Sequence, residues 1–401
     1  MKKLIFIPYQ DIFDFSNTGI LTREYSILKF FMDNGIEDVL FISKPRTILD
    51  KKNFKDINFP KESIEYAVYK KIMQSKKIRY ETAITLSLFT KKRSWWIEGY
   101  EQVIEKIKKM DLDYKNTIVY SNNPFSYKLF YFLKNKGATI YFDMMDNLAL
   151  HPSLSKQEQE SANYCYRESF TISDFCTCNS QAISKYCEEN FSRHPAVVKN
   201  GVFPIKTKFD IVDNNIKEKL DKLDYFNEKY KLSMGYIGKL GLRLDHELIE
   251  NIVVENPNIL FVFVGPHLSG QRNKKLEILF EKYENLLSLG SIPSAYINHF
   301  LNKFSVLMIP HSVGSYENGG DPLKLYQYLN TQKPIISTGI EGVNEFENII
   351  TISNDISDWN RFIAENLVNN TKPYNSPESI YWHHRLAPVS KFLKMEEKGF
   401  E

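Results

Sequence analysis

The chain has 401 residues, of which 43% are apolar and 25% charged, and a formal net charge of +3. That length is too great for one ordinary core and suits two domains. The composition is that of a soluble globular protein, and the charge is too small to imply nucleic-acid binding.

The first apolar run, Leu4 to Pro8, follows Met1-Lys2-Lys3. It is too short for a signal-peptide core or a membrane span and reads as a first strand. No window holds about 18 uninterrupted apolar residues, so the expected compartment is the cytosol. Short apolar runs then alternate with amphipathic stretches, the pattern of parallel sheets with crossover helices. In the first half, strands are predicted at Leu4 to Pro8, Val39 to Ser43, Thr117 to Ser121, Thr139 to Phe142, Phe175 to Asn179 and Ala196 to Lys199. A helix is predicted over Leu21 to Met32, entered through Ser16, Asn17, Thr18 and Gly19 and left through Asn34-Gly35. The four cysteines, Cys165, Cys176, Cys178 and Cys187, share one region without CxxC spacing and read as reduced structural thiols. Pro204 to Lys231 is rich in Lys, Asp, Glu and Asn, and reads as a linker with a solvated helix. It separates a first domain over 1–203 from a second over 232–380. Strands of the second are predicted at Ser233 to Gly238, Leu260 to Gly265, Leu286 to Leu289, Val306 to Ile309 and Pro334 to Ser337.

The most informative stretch runs from Asn318-Gly319-Gly320 through Asp321-Pro322-Leu323-Lys324-Leu325-Tyr326-Gln327-Tyr328-Leu329, with Lys333-Pro334-Ile335-Ile336-Ser337-Thr338 after it. Asp321 is a good N-cap and Pro322 suits the first helical position, so a helix is predicted to start there. Lys324 then falls in the first turn, where the helix dipole disfavours a cation by about 0.3–1 kcal/mol unless an anion joins it. A phosphate would supply that anion. Gln327 shares the face of Lys324 and can reach a sugar hydroxyl. The same spacing also fits a surface lysine beside a solvated glutamine.

This segment resembles the C-terminal-domain signature of GT-B glycosyltransferases, in particular enzymes of bacterial polysaccharide assembly with a PLK helix followed by a KP-strand. The resemblance implies two Rossmann-like α/β domains facing a central cleft, with the last segment, 381–401, crossing back as a helix to the first domain. Where many members carry a ribose-binding Glu, this chain has Gln327, and seven residues earlier, where retaining members have a second Glu, it has Gly320. That pattern is similar to the xanthan glucuronosyltransferase-like branch. Gly235-Tyr236-Ile237-Gly238-Lys239 is similar to the family's first donor-domain strand and turn, with Gly238 and Lys239 as implied nucleotide contacts. Leu289 to Pro293 resembles the loop that meets the base, which adds Ile292, and the loop after Val306 to Pro310 adds His311. Tyr141-Phe142-Asp143-Met144-Met145-Asp146 resembles the family's Y-D-x-x-D segment. Two carboxylates at a strand's carboxyl end suit a general base, with Asp146 first and Asp143 in reserve, though either can also cap a turn.

Asp111-Leu112-Asp113 precedes a strand rather than ending one, and the histidines form no metal-ligand spacing, so neither a metal nor another cofactor is expected. Tyr69 to Met110 carries eleven Lys or Arg against four Glu, interleaved with Ile78, Leu86, Leu88, Phe89, Trp95 and Trp96. It suits either an anionic membrane surface or a solvated basic face. The resemblance implies inverting, metal-independent transfer from a nucleoside-diphosphate sugar, UDP-linked, to a hydroxyl of a surface polysaccharide or lipid-linked glycan. A nonhydrolysing UDP-sugar epimerase and a catalytically inactive GT-B partner subunit share the fold and stay open at this point.

Overall fold

The computed structural model describes residues 3–10, 22–36, 38–47, 78–85, 95–151, 154–204, 213–267, 272–314, 321–368 and 374–397. The chain divides into two units, Met1–Lys199 with Arg385–Glu401, and Asn200–His384.

In chain order the first unit contains β1 (Lys3–Ile7), β2 (Asp38–Ile42), β3 (Arg46–Thr47), β4 (Ile78–Glu81), β5 (Ile84–Thr85), β6 (Thr117–Ser121), β7 (Thr139–Met144), β8 (Phe175–Cys178) and β9 (Ala196–Val197). Seven of them form one sheet in the order β4-β2-β1-β6-β7-β8-β9, with parallel pairing throughout. β3 and β5 pair separately. The central strands are buried almost throughout, as strands covered by helices on both sides are. Helix α1 (Arg23–Asp33) is capped by Thr22, whose hydroxyl accepts from the Tyr25 N–H. It exits through Asn34 and Gly35, the latter at φ +87°, a conformation open to glycine without strain. Its predicted entry, Ser16 to Gly19, lies outside the described residues.

The second unit holds β10 (Leu232–Ile237), β11 (Ile259–Val264), β12 (Leu286–Gly290), β13 (Val306–Ile309), β14 (Ile335–Ser337) and β15 (Thr351–Ile352). They form a parallel sheet in the order β12-β11-β10-β13-β14-β15. Helix α2 (Asn214–Lys229) falls where the sequence suggested a linker with a solvated helix, but it belongs to this unit and is not solvated all round. Asp213 caps it, and Ile216, Leu220 and Leu223 bury one stripe in the unit's core. Three apolar residues at spacings of four and three suffice for that stripe, however charged the other faces are.

The chain stays with the second unit through His384, because Val202 N–H donates to Ile380 and the Trp382 N–H donates to Val202. The return to the first unit starts at Arg385, slightly later than the sequence suggested. The final helix, Ala387–Glu397, belongs to the first unit, where Phe392 stacks on Phe175 with ring centroids 4.5 Å apart.

Candidate active site

Both sheets reverse their winding beside their first strand. In the first unit the chain moves outward from β1 to β2 and β4, then returns to β6 on the other side of β1. In the second it moves from β10 to β11 and β12, then returns to β13. The loops leaving two such strands part in opposite directions, and the carboxyl ends between them are where open α/β sheets bind ligands.

At the second unit's switch point, β10 ends at Ile237 and is followed by Gly238, while β13 is followed by Pro310 and His311. A Cβ on Gly265 would stand 1.8 Å from the Gly238 carbonyl oxygen, so only glycine lets these two turns cross. A Cβ on Gly238 itself would stand 2.9 Å from both Lys324 Nζ and Tyr236 Oη. Gly238 thereby leaves room beside the Lys324 ammonium. Lys324 is half-buried and donates to Tyr236 Oη at 2.6 Å, lies 2.9 Å from His311 Nε2, and sits 4.2 Å from the centroid of the Tyr236 ring. Burial, then the charges of Lys324 and Arg243, hold the buried His311 imidazole well below its ordinary pKa. It is therefore neutral near pH 7, and its Nε2 lone pair can accept from the ammonium.

Gln327 is buried on the same helix, Leu323–Leu329, and its side-chain amide has no hydrogen-bond partner among the described residues. Lys239 is exposed, and its carbonyl accepts from Tyr236 Oη. Ile292 is half-buried against the unit's core, past Gly290 at φ +67°. Gly320 lies outside the described residues. The helix starts at Leu323 with Pro322 in the cap position, so Asp321 is not the N-cap. The Asp321 carboxylate instead accepts from the Tyr326 hydroxyl and the Asn200 N–H, and it ties the start of the unit to this helix. The partners of Lys324 also change its energetics. A phenol oxygen, an imidazole nitrogen and a ring face offset the unfavourable helix dipole.

At the first unit's switch point the two aspartates part company. Asp143, on β7, is fully buried and accepts from Arg23 Nε at 2.7 Å and Nη2 at 2.9 Å, from Tyr120 Oη at 3.1 Å and from Thr177 Oγ1 at 2.6 Å. Burial alone would lower the Arg23 pKa, but the Asp143 charge and hydrogen bonds outweigh it and raise it. Arg23 also donates to the Val198 carbonyl. Asp143 is thus an internal brace rather than a reachable base. Asp146 is exposed just past β7, and its carbonyl accepts from the Tyr166 hydroxyl.

The sequence reading passed over Glu24. It lies in the first turn of α1, and its side chain is fully buried. Asn122 Nδ2 donates to Glu24 Oε1 at 2.9 Å, and the Gln10 N–H reaches the same oxygen at 3.4 Å. Asn122 itself follows β6 and accepts from the Tyr9 N–H at 2.8 Å, so the ends of β1 and β6 are laced together around this carboxyl.

Trp96 packs against Tyr9 and Phe125 and is a core residue, not a membrane-facing one. Leu86, Leu88 and Phe89 lie outside the described residues. The four cysteines are free, and burial pushes the Cys165, Cys176 and Cys178 thiols up to about 12. Asp113 is exposed and bonded to Asn116. Among the described residues one group, Glu378, His383 and His384, brings three potential metal ligands together, and all three are exposed. No helix of the described residues is long and apolar enough to cross a membrane.

The Arg23–Asp143 pair gives a prediction. Asp143→Ala leaves a buried guanidinium without its counter-charge, and it should cost about 3–5 kcal/mol of stability. Urea denaturation measures it, and a loss below about 1 kcal/mol would show that the pair braces nothing.

No family profile matches the chain. Over 177 residues it is 22% identical to the teichuronic acid biosynthesis glycosyltransferase TuaH named in Bacillus subtilis (strain 168). That alignment covers 43% of this chain and 42% of the relative, less than half the length of each. Sucrose-phosphate synthase of Thermosynechococcus elongatus superposes with a TM-score of 0.68 at 14% identity, over 100% of both chains. HepE of Anabaena, solved with UDP and glucose, superposes with a TM-score of 0.63 at 14% identity, over 99% of both chains. With its two parallel sheets and a C-terminal helix returned to the first unit, the chain has the GT-B glycosyltransferase fold.

Proposed function

We propose that the chain is a glycosyltransferase that moves a sugar from a nucleoside-diphosphate sugar, UDP-linked, to a hydroxyl of a bacterial surface polysaccharide or lipid-linked glycan. The observation that carries this reading is the ammonium of Lys324 at the second unit's switch point, with Gly238 leaving space beside it. A diphosphate there meets a charge already oriented by Tyr236 and His311, and a preoriented cation stabilises the leaving group without reorganising during reaction. Gln327, three residues further along the same helix, would bind a donor hydroxyl. Ile292 and Lys239 are further donor contacts. On the same reading Lys324 neutralises the leaving diphosphate without a metal.

Inversion is the stereochemical outcome that fits. Gly320 stands where retaining enzymes place a Glu, and direct displacement needs a base on the acceptor side. Asp146 is the exposed candidate for it.

Lys324→Ala should leave the fold intact and weaken UDP binding by about 1.5–3 kcal/mol, the range for hydrogen bonds to charged groups. Gln327→Ala should cost about 0.5–1.5 kcal/mol, since a neutral hydrogen bond is lost. Titration calorimetry with UDP reads both. Unchanged affinity in both variants would remove this helix from the donor site.

The basic stretch within Tyr69 to Met110 fits an enzyme whose acceptor is lipid-linked. On that reading the protein co-sediments with anionic vesicles and salt releases it. Equal sedimentation with neutral vesicles would contradict membrane docking.

A further inference from the structure

Two imidazoles and a carboxylate come together at the end of the second unit, from His383, His384 and Glu378. Glu378 opens a single 3₁₀ turn, Glu378–Ile380, which leads through Tyr381 into the short helix Trp382–Arg385. The backbone of this stretch is held on every side. Ile380 and Trp382 are buried and bracket Val202, whose N–H donates to the Ile380 carbonyl at 2.9 Å and whose carbonyl accepts from the Trp382 N–H at 3.1 Å. The Tyr381 N–H donates to the Glu378 carbonyl at 3.1 Å, and the His384 N–H to the Tyr381 carbonyl at 3.0 Å. The Tyr381 hydroxyl donates to Asn330 Oδ1 at 3.2 Å. Its ring runs nearly parallel to the His383 imidazole, with centroids 5.9 Å apart and 8° between the planes. The frame is therefore fixed while the three side chains it carries are exposed, which gives a hydrated ion an entry path.

The polar atoms of these side chains converge. His383 Nε2 lies 3.6 Å and His384 Nε2 3.4 Å from one and the same oxygen, Glu378 Oε2. All three atoms fall within 4.8 Å of one another. Tetrahedral zinc, with bonds of about 2.0–2.1 Å, sets its ligand atoms about 3.4 Å apart. Two edges of that triangle are close to the required length, and a rotation of one exposed imidazole brings in the third. Surface ion pairs contribute little by themselves. Two imidazole nitrogens approaching one carboxylate oxygen are what a shared cation would organise. The donor set also selects the ion. Two nitrogens and one oxygen suit zinc and its neighbours in the first transition row, whereas magnesium and calcium favour oxygen alone.

We propose that Glu378, His383 and His384 form a zinc site, with one ion held by His383 Nε2, His384 Nε2 and Glu378 Oε2 and water completing the tetrahedron. Its role is structural. The ion ties the 3₁₀ turn to the short helix at which the chain leaves the second unit. The site shares no residue with the donor constellation at Lys324, and the proposal stands or falls independently of the transferase reading.

The test uses the full chain without an affinity tag, stripped of metal with EDTA and dialysed. Calorimetry with zinc chloride and thermal unfolding with and without zinc are run on wild type, Glu378→Gln, His383→Ala and His384→Ala, with magnesium chloride as the control. Wild type should bind one zinc per chain and unfold at a higher temperature with zinc present. Each variant should lose at least about tenfold in zinc affinity, since loss of an outer-shell partner alone costs that much, and should lose the thermal shift. Magnesium should produce neither effect. The stripped variants should unfold at the wild-type temperature because all three side chains are exposed, and His383→Gln or His384→Gln replaces an alanine variant that does not. Wild type that takes up no zinc overturns the site. So does zinc binding that is equal in wild type and all three variants, which would place the ion on other histidines or cysteines of the chain. Magnesium bound as tightly as zinc would reduce the cluster to a patch of surface charge and overturn it too.

Discussion

Where each sheet turns back on its first strand decides where polar groups can gather in this protein. The central strands β1, β6 and β10 are buried along their length, and the polar side chains of each site come from their last residues or from the turns after them. Only their carboxyl ends, where successive loops diverge, offer unfilled backbone groups and space. Each unit uses that place differently. The first gathers carboxylates and amides, and the second gathers a cation with neutral acceptors.

The second unit's arrangement sets neutral acceptors against a charge. Tyr236 and His311 orient the Lys324 ammonium, yet neither brings a negative charge. Burial keeps the imidazole neutral, so it acts as an acceptor rather than a competing cation. Gly238 puts no side chain beside that ammonium, and Gly265 lets the two turns cross. In the first unit the logic is reversed. The Arg23–Asp143 pair consumes one carboxylate to fix α1 against β7, β8 and the Val198 carbonyl, and that fixed helix carries Glu24 into the interior beside Asn122.

Most of this frame was legible in the sequence because buried parallel strands are written as short apolar runs. Thr117–Ser121 and Val306–Ile309 coincide with their predicted bounds, and most of the other predicted strands differ by a residue or two at their ends. β4 and β15 were not visible. Ile78–Glu81 lies among lysines and earns its strand only by pairing with β2, and the two residues Thr351–Ile352 are too few to make a pattern. Lys324 and Gln327 could be singled out because their three-residue spacing early in a helix is local, even though Pro322 rather than Asp321 takes the cap position. Glu24 could not, because a lone glutamate in a first helical turn reads as dipole compensation. Its burial depends on Asn122, 98 residues away in the chain. For the same reason Asp143 looked like a possible base: nothing local announces that Arg23, 120 residues earlier, has claimed it.

The donor site at Lys324 is the central claim, and a crystal structure of the protein grown with UDP tests it most directly. The account places the diphosphate beside Lys324 Nζ, at the roughly 2.7–2.9 Å of a charge-assisted hydrogen bond. UDP bound elsewhere on the chain, with the Lys324 contacts to Tyr236 and His311 unchanged, would contradict it.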